Sequence, residues 1–167
     1  TPTLAMIDSP APASDRLQTL RTRLAPLKED PGSVMEALYV AQELFGYVSP
    51  ESIEVIAEEL GYPEAHVFGV VTFYTMFYTE PQARSIVRVC RDLSCHIAGA
   101  PGIAAAIEAR AGIRNGQSTA DGKLKLELVS CLGQCDRQPA LLVGLDVHGP
   151  VDEADAVRLV DQILGAE

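Results

Sequence analysis

Cys90 and Cys95 enclose four residues, Cys131 and Cys135 enclose three, and these are all the cysteines of the 167-residue chain. Thirty-five residues separate the two pairs. Four thiolates brought in from two short loops suit a small metal centre, and three chemistries compete for them. A structural zinc takes four thiolates in a tetrahedron but usually draws them from knuckles with two-residue gaps. An iron–sulfur cluster takes four cysteines at more varied spacings. Two disulfides need an oxidising compartment. A dithiol redox motif of the C-x-x-C kind is absent. Gly133, inside the second loop, would let backbone amides come close to whatever the sulfurs hold.

The elements that must position these loops are visible on either side. Ser85-Ile-Val-Arg-Val-Cys90 is a short β-type run that ends on the first cysteine. Cys95 leads into a helix through Ile103 and Ile107, closed by Gly112. Lys123 to Leu128 alternates polar and apolar residues, as a half-buried strand does, and delivers Cys131. A third strand is expected over Ala140–Val143, a short fourth over Val147–Val151, and a last helix capped by Asp152 with Val157, Val160 and Leu164 on one face. This order predicts an α/β domain over residues 85–167 whose first two strands run parallel through a helical crossover. Both cysteine pairs then fall just past strand ends at one edge of the sheet.

The first half reads differently. Residues 1–13, with three prolines among small residues, read as a flexible tail. A helical bundle is expected over 14–80. Its first helix runs from Asp15 to Leu24, before Pro26. The second starts at a capping box of Ser33 and Glu36, carries Val34, Leu38, Ala41 and Phe45 on one face, and ends at Gly46. The third has Ser49 as N-cap, Pro50 at its first position and Gly61 at its end. A fourth begins at Pro63, and Thr72–Tyr78 fits either helix or strand. Glu51, Glu54 and Glu58 share one side of the third helix, as a solvated face or a docking surface for a basic partner. His66 and Tyr74 read as packing or interfacial residues.

Composition narrows the class. A hydrophobic fraction of 47% and a mean hydropathy of +0.12 suffice for a core. No apolar run reaches the ~20 residues that span a bilayer, so no direct membrane insertion is expected. Thr1–Asp8 has neither the basic nor the apolar region of a signal peptide. A cytosolic or organelle-matrix location is therefore expected, where disulfides rarely persist. The net charge of −10 argues against nucleic acid as a partner. From Glu29 to Ala83 there are ten acidic residues and no Lys or Arg.

Ala41-Gln-Glu-Leu-Phe-Gly-Tyr-Val48, Val67-Phe-Gly-Val-Val-Thr-Phe-Tyr-Thr-Met-Phe77, Val89-Cys90 with Cys95, and Cys131-Leu-Gly-Gln-Cys135 with Pro139 occur in this order. Together, over about residues 33–165, the chain resembles the small [2Fe–2S] subunit of the NADH-oxidising module of complex I. It is similar also to the related subunits of NAD-linked hydrogenases and formate dehydrogenases. The resemblance implies an N-terminal helical bundle followed by a thioredoxin-like [2Fe–2S] ferredoxin domain, an α+β or α/β architecture. It implies Cys90, Cys95, Cys131 and Cys135 as cluster ligands and a cis-proline at Pro139. Arg91, His96 and Arg137 are the candidate cations beside the cluster, and the charged loop residues Arg91, Asp92, Asp136 and Arg137 would tune its potential.

The activity so implied is one-electron transfer by a non-catalytic subunit of an NADH dehydrogenase-type complex. FMN and NAD would lie on a flavoprotein partner subunit, with further iron–sulfur subunits beyond. No G-x-G-x-x-G after a strand and no P-loop is present in this chain. A free-standing thioredoxin-like ferredoxin and a zinc-stabilised adaptor are the alternatives. About 80 residues of helical bundle favour a docked subunit over a transient carrier.

Overall fold

The computed structural model describes residues 13–30 and 32–165. The proline-rich stretch 1–12, read above as a tail, lies outside the described residues; Ala13 already belongs to the first helix. The chain divides into two compact units, with the boundary in sequence between Gln82 and Ala83.

The first unit is helical: α1 (Ala13–Leu24) with a 3-10 turn at Ala25–Leu27, α2 (Val34–Phe45), α3 (Pro50–Leu60) and α4 (Glu64–Phe73). Leu20, Leu24, Leu38, Val48, Ile56, Val67 and Val71 are almost fully buried and form its core. Gly46 and Gly61 end α2 and α3 in the left-handed conformation, each returning its N–H to a carbonyl of the last turn. Ser49 caps α3, its Oγ accepting the Ser52 N–H at 3.2 Å. The capping box expected at Ser33 and Glu36 does not form. Ser33 has helical dihedrals and its N–H goes to the Asp30 carbonyl, so the preceding turn runs straight into α2 and the Ser33 hydroxyl cannot face the helix amides.

Past Phe73 the chain leaves the helix, which resolves the ambiguity of Thr72–Tyr78. Gln42 on α2 holds this return segment at both ends of its amide: Nε2 donates to the Met76 carbonyl at 2.8 Å and Oε1 accepts the Tyr78 N–H at 2.9 Å. Phe77 is thereby buried edge-on to Tyr39. Nor is the glutamate face of α3 entirely free. Arg21 of α1 pairs with Glu58 at 2.7 Å and with Glu59 at 2.8 Å, and Lys28 also pairs with Glu59. These cations hold the Glu59 carboxyl below the usual range.

The second unit is a four-stranded sheet in the order β2-β1-β3-β4, with β1 (Ser85–Cys90), β2 (Leu124–Val129), β3 (Leu141–Val143) and β4 (Asp146–His148). β1 and β2 are parallel, with Val87 opposite Leu126 and Cys90 opposite Val129; β3 is antiparallel to both β1 and β4. The crossover from β1 to β2 carries α5 (Leu93–Ile97) and α6 (Ala100–Ala111), and α7 (Glu153–Gly165) closes the unit. Val87, Ile103, Ile107, Leu124, Leu126, Leu141 and Val160 fill the core.

Two elements differ from the sequence reading. Cys95 does not precede one long helix but sits inside the short α5, separated from α6 by Ala98 and Gly99. Pro101 requires the break, since its ring would strike the carbonyl four residues back in a continuous helix, whereas the first turn of α6 accepts it. The last strand is Asp146–His148, not Val147–Val151, because Pro150 has no N–H to give a ladder.

Ser49 is 6% exposed. Ser49→Ala should therefore lower the stability of the helical unit by about 1 kcal/mol, the worth of a typical N-cap. A denaturant melt followed by far-ultraviolet circular dichroism checks it, and an unchanged midpoint would count against the cap.

Candidate metal centre

β1 alternates between buried and half-buried residues until Val89 and Cys90, which are both buried. The break marks where the sheet stops presenting an open face and the cysteine loops cover it. Cys90 is the last residue of β1. Cys95 follows within α5, where both flanking residues are exposed and its own side chain is only 2% exposed. Cys131 and Cys135 lie on the loop after β2 and are exposed. The centre thus has a buried pair of thiols and an exposed pair.

The Cys131 and Cys135 sulfurs are 3.7 Å apart. Two thiolates on one tetrahedral metal, at ~2.3 Å from it, stand about 3.8 Å from each other, so this pair already has the spacing of two ligands on one ion. Cys90 and Cys95 form the other pair, thiol against thiol, and Cys135 lies close enough to feel the charge of Cys90 as well as Cys131. Among the described residues no three or more His, Cys, Asp or Glu side chains are grouped so as to hold a single ion. The donors come by twos, which fits a binuclear cluster bound through four cysteines.

Backbone groups tie the loops together. Ala140, which is 1% exposed, serves the buried pair twice: its carbonyl accepts the Cys90 N–H at 3.2 Å and its N–H points to the Cys95 sulfur. Asp92, in the first loop, accepts the Cys131 N–H of the second at 3.0 Å. Gly133 has φ +73° and gives its N–H to the Cys131 sulfur at 3.3 Å, the amide approach its lack of a side chain permits. The Gln138–Pro139 peptide is cis, as the resemblance implied.

The candidate cations sit less directly. Arg91 continues the sheet, its N–H bonding to the Val129 carbonyl at 2.9 Å, while its side chain is exposed. His96 is exposed on α5. Arg137 is turned aside, donating from Nε to the Gly149 carbonyl at 3.2 Å. Sequence reasoning gave Asp92 only a part in tuning and missed Ala140. Neither its tie to Cys131 nor Ala140's double role has a sequence signature, since each joins segments some forty to fifty residues apart.

Burial pushes the Cys95 thiol up, and the neighbouring Cys90 adds to the shift. Cys135 is raised mainly by its hydrogen bond with Cys131 and by the charge that Cys131 would carry. Without metal the site therefore favours thiols; with metal it must gather thiolates, whose mutual repulsion the metal's positive charge offsets.

Known proteins resemble this chain in sequence and fold. The model of the thioredoxin-like [2Fe–2S] ferredoxin family matches residues 20–164, and the chain belongs to that family. Its cofactor is accordingly a [2Fe–2S] cluster, which the paired thiols fit. The chain is 40% identical over 134 residues to a subunit of the NADH-quinone oxidoreductase of Pseudomonas aeruginosa, a match covering 80% of this chain and 81% of that one. It is 40% identical over 121 residues to the protein of the same name from Escherichia coli K12, covering 72% of this chain and 73% of its relative. The fold is shared with a chain of an NAD+-reducing [NiFe]-hydrogenase in the air-oxidised state, at a TM-score of 0.70 and 23% identity. That match covers 80% of this chain but only 23% of the hydrogenase chain.

The raised thiols predict a pH dependence for the metal-free protein. A folded pKa above the unfolded one means that the native state holds its protons longer, so stability is complete below the ordinary thiol pKa and falls as pH rises through and beyond it. Denaturant midpoints of the apoprotein should decline from neutral to alkaline pH, and Cys95→Ala should flatten part of that decline. Equal slopes with and without Cys95 would contradict the assignment.

Proposed function

We propose that Cys90, Cys95, Cys131 and Cys135 ligate the [2Fe–2S] cluster and that the chain is an electron-transfer subunit of an NADH-oxidising or NAD-reducing complex. It would exchange electrons with FMN on a flavoprotein subunit and adjoin further iron–sulfur subunits. What supports this reading is the pairing of the cysteines on a thioredoxin-like sheet: the Cys131 and Cys135 sulfurs are 3.7 Å apart, and Cys90 is near enough to Cys95 and Cys135 to raise both thiols. When bound, a [2Fe–2S] cluster supplies a one-electron couple. What the protein's own residues do is hold the thiols, aim amides at them and keep water from the buried pair. The Ala140 and Gly133 N–H groups face sulfur, and such donors favour the added negative charge of the reduced state. Leaving Cys131 and Cys135 exposed gives that side of the centre to a partner surface.

The helical unit supports a subunit role rather than a freely diffusing one. α4 is apolar on more than its core face: Val67 and Val71 are in the core, while Phe68 and Phe73 are 52% and 76% exposed. Tyr74 and Met76 extend this apolar surface. Exposed apolar residues that adjoin one another in this way are the kind of surface that partners cover. The acidic balance of residues 29–83 complements a basic rim on a partner, although Arg21, Arg23 and Lys28 offset part of it within the unit. No helix among the described residues is long and apolar enough to cross a membrane.

Each of Cys90→Ala, Cys95→Ala, Cys131→Ala and Cys135→Ala should abolish or remodel the visible and paramagnetic spectrum of the cluster. Native purification should bring down an FMN-containing subunit with the wild-type chain. Four variants with wild-type iron content and spectra would refute the ligand assignment, and isolation as a lone monomer from native cells would refute the subunit role.

A further inference from the structure

Gly149, Pro150 and Val151, between β4 and α7, cross over the segment that links Cys135 to β3. Three contacts join the two. The Arg137 Nε donates to the Gly149 carbonyl at 3.2 Å. The Val151 N–H donates to the Pro139 carbonyl at 3.1 Å. Between these bonds the Gly149 Cα rests against the Arg137 carbonyl: a Cβ there would lie far inside contact distance of that oxygen and 3.4 Å from the Ala140 Cβ. Gly149 is not among the glycines at positive φ, so the close approach, rather than the backbone conformation, requires glycine.

None of these residues carries a thiol. What they press on is the span 137–140, which begins two residues after Cys135 and ends at Ala140, whose carbonyl accepts the Cys90 N–H and whose N–H acts on the Cys95 thiol. A backbone carbonyl cannot swing aside as a flexible side chain can, so a methyl group at Gly149 must displace the span itself. The displacement would pass to Cys135 at one end and to the buried pair at the other.

We propose that Gly149–Val151 is a strap that positions the metal centre, with Gly149 as its glycine-only contact. This rests on the four-cysteine ligation proposed above. The strap fixes where three of the four sulfurs stand relative to one another, and through them the electronic structure of the cluster.

The test uses the full-length, cluster-loaded chain. Gly149→Ala should shift the g-values of the dithionite-reduced cluster, move its reduction potential and speed cluster loss to an iron chelator several-fold. Val160→Ala, in the core of the same unit, is the control for general destabilisation. It should lower the melting temperature and leave g-values and potential alone. Arg137→Lys keeps the charge but removes the Nε donor, and should produce a smaller shift of the g-values. Unchanged g-values and chelation rate in loaded Gly149→Ala would overturn the proposal, as would equal shifts in Val160→Ala. Should Gly149→Ala fail to accumulate in loaded form, Arg137→Lys decides, and wild-type g-values and chelation rate there would overturn it. A wild-type chain with no [2Fe–2S] spectrum would instead refute the ligand assignment on which the strap's role depends.

Discussion

Four thiols have no reason of their own to stay together. As thiolates they repel, and as thiols their mutual hydrogen bonds are weak, so in the metal-free chain their meeting point must be set by backbone that is fixed from elsewhere. Ala140 is the centre of that fixing. Its carbonyl accepts the Cys90 N–H, its N–H lowers the Cys95 thiol against the effect of burial, and it follows directly on the loop that carries the exposed pair. Asp92 makes the reciprocal tie, from the first loop to the Cys131 amide. The parallel pairing of β1 with β2 carries the two loops to the same edge of the sheet, and these hydrogen bonds turn proximity into a defined site.

The same arrangement accounts for how exposure is distributed. The buried pair lies at the end of β1 and within α5, where unpaired charge is costly and an N–H aimed at sulfur is worth most. The other pair lies at the surface, where a redox partner can approach. A one-electron carrier needs both conditions, since a wholly buried cluster is slow to reach and a wholly exposed one is open to solvent. On the helical unit, Phe68 and Phe73 of α4 leave apolar surface exposed.

What could be read from the sequence was local. The cysteines, the alternation of β2, the glycines that end α2 and α3 and the Ser49 cap each depend on residues within a turn or two of one another. Where a local pattern misled, a neighbour outside the pattern had already set the backbone. Ser33 has the sequence of a capping box, but the turn from Asp30 takes its N–H and its dihedrals. Glu58 reads as part of a solvated or docking face of α3, yet Arg21 reaches it from an earlier part of the chain. The supports of the site were illegible for the same reason. An alanine and a glycine carry no chemistry in one dimension, and Asp92 showed only its charge; Ala140, Gly149 and Asp92 matter because of where the fold puts their backbone atoms and a carboxylate.

The most direct test of the account is a reductive titration of the purified chain, with iron, acid-labile sulfide and zinc measured on the same sample. A [2Fe–2S] carrier should contain two irons and two sulfides per chain and take up one electron, with a paramagnetic signal appearing in step. Zinc in place of iron, or an iron centre that accepts no electron, would contradict it.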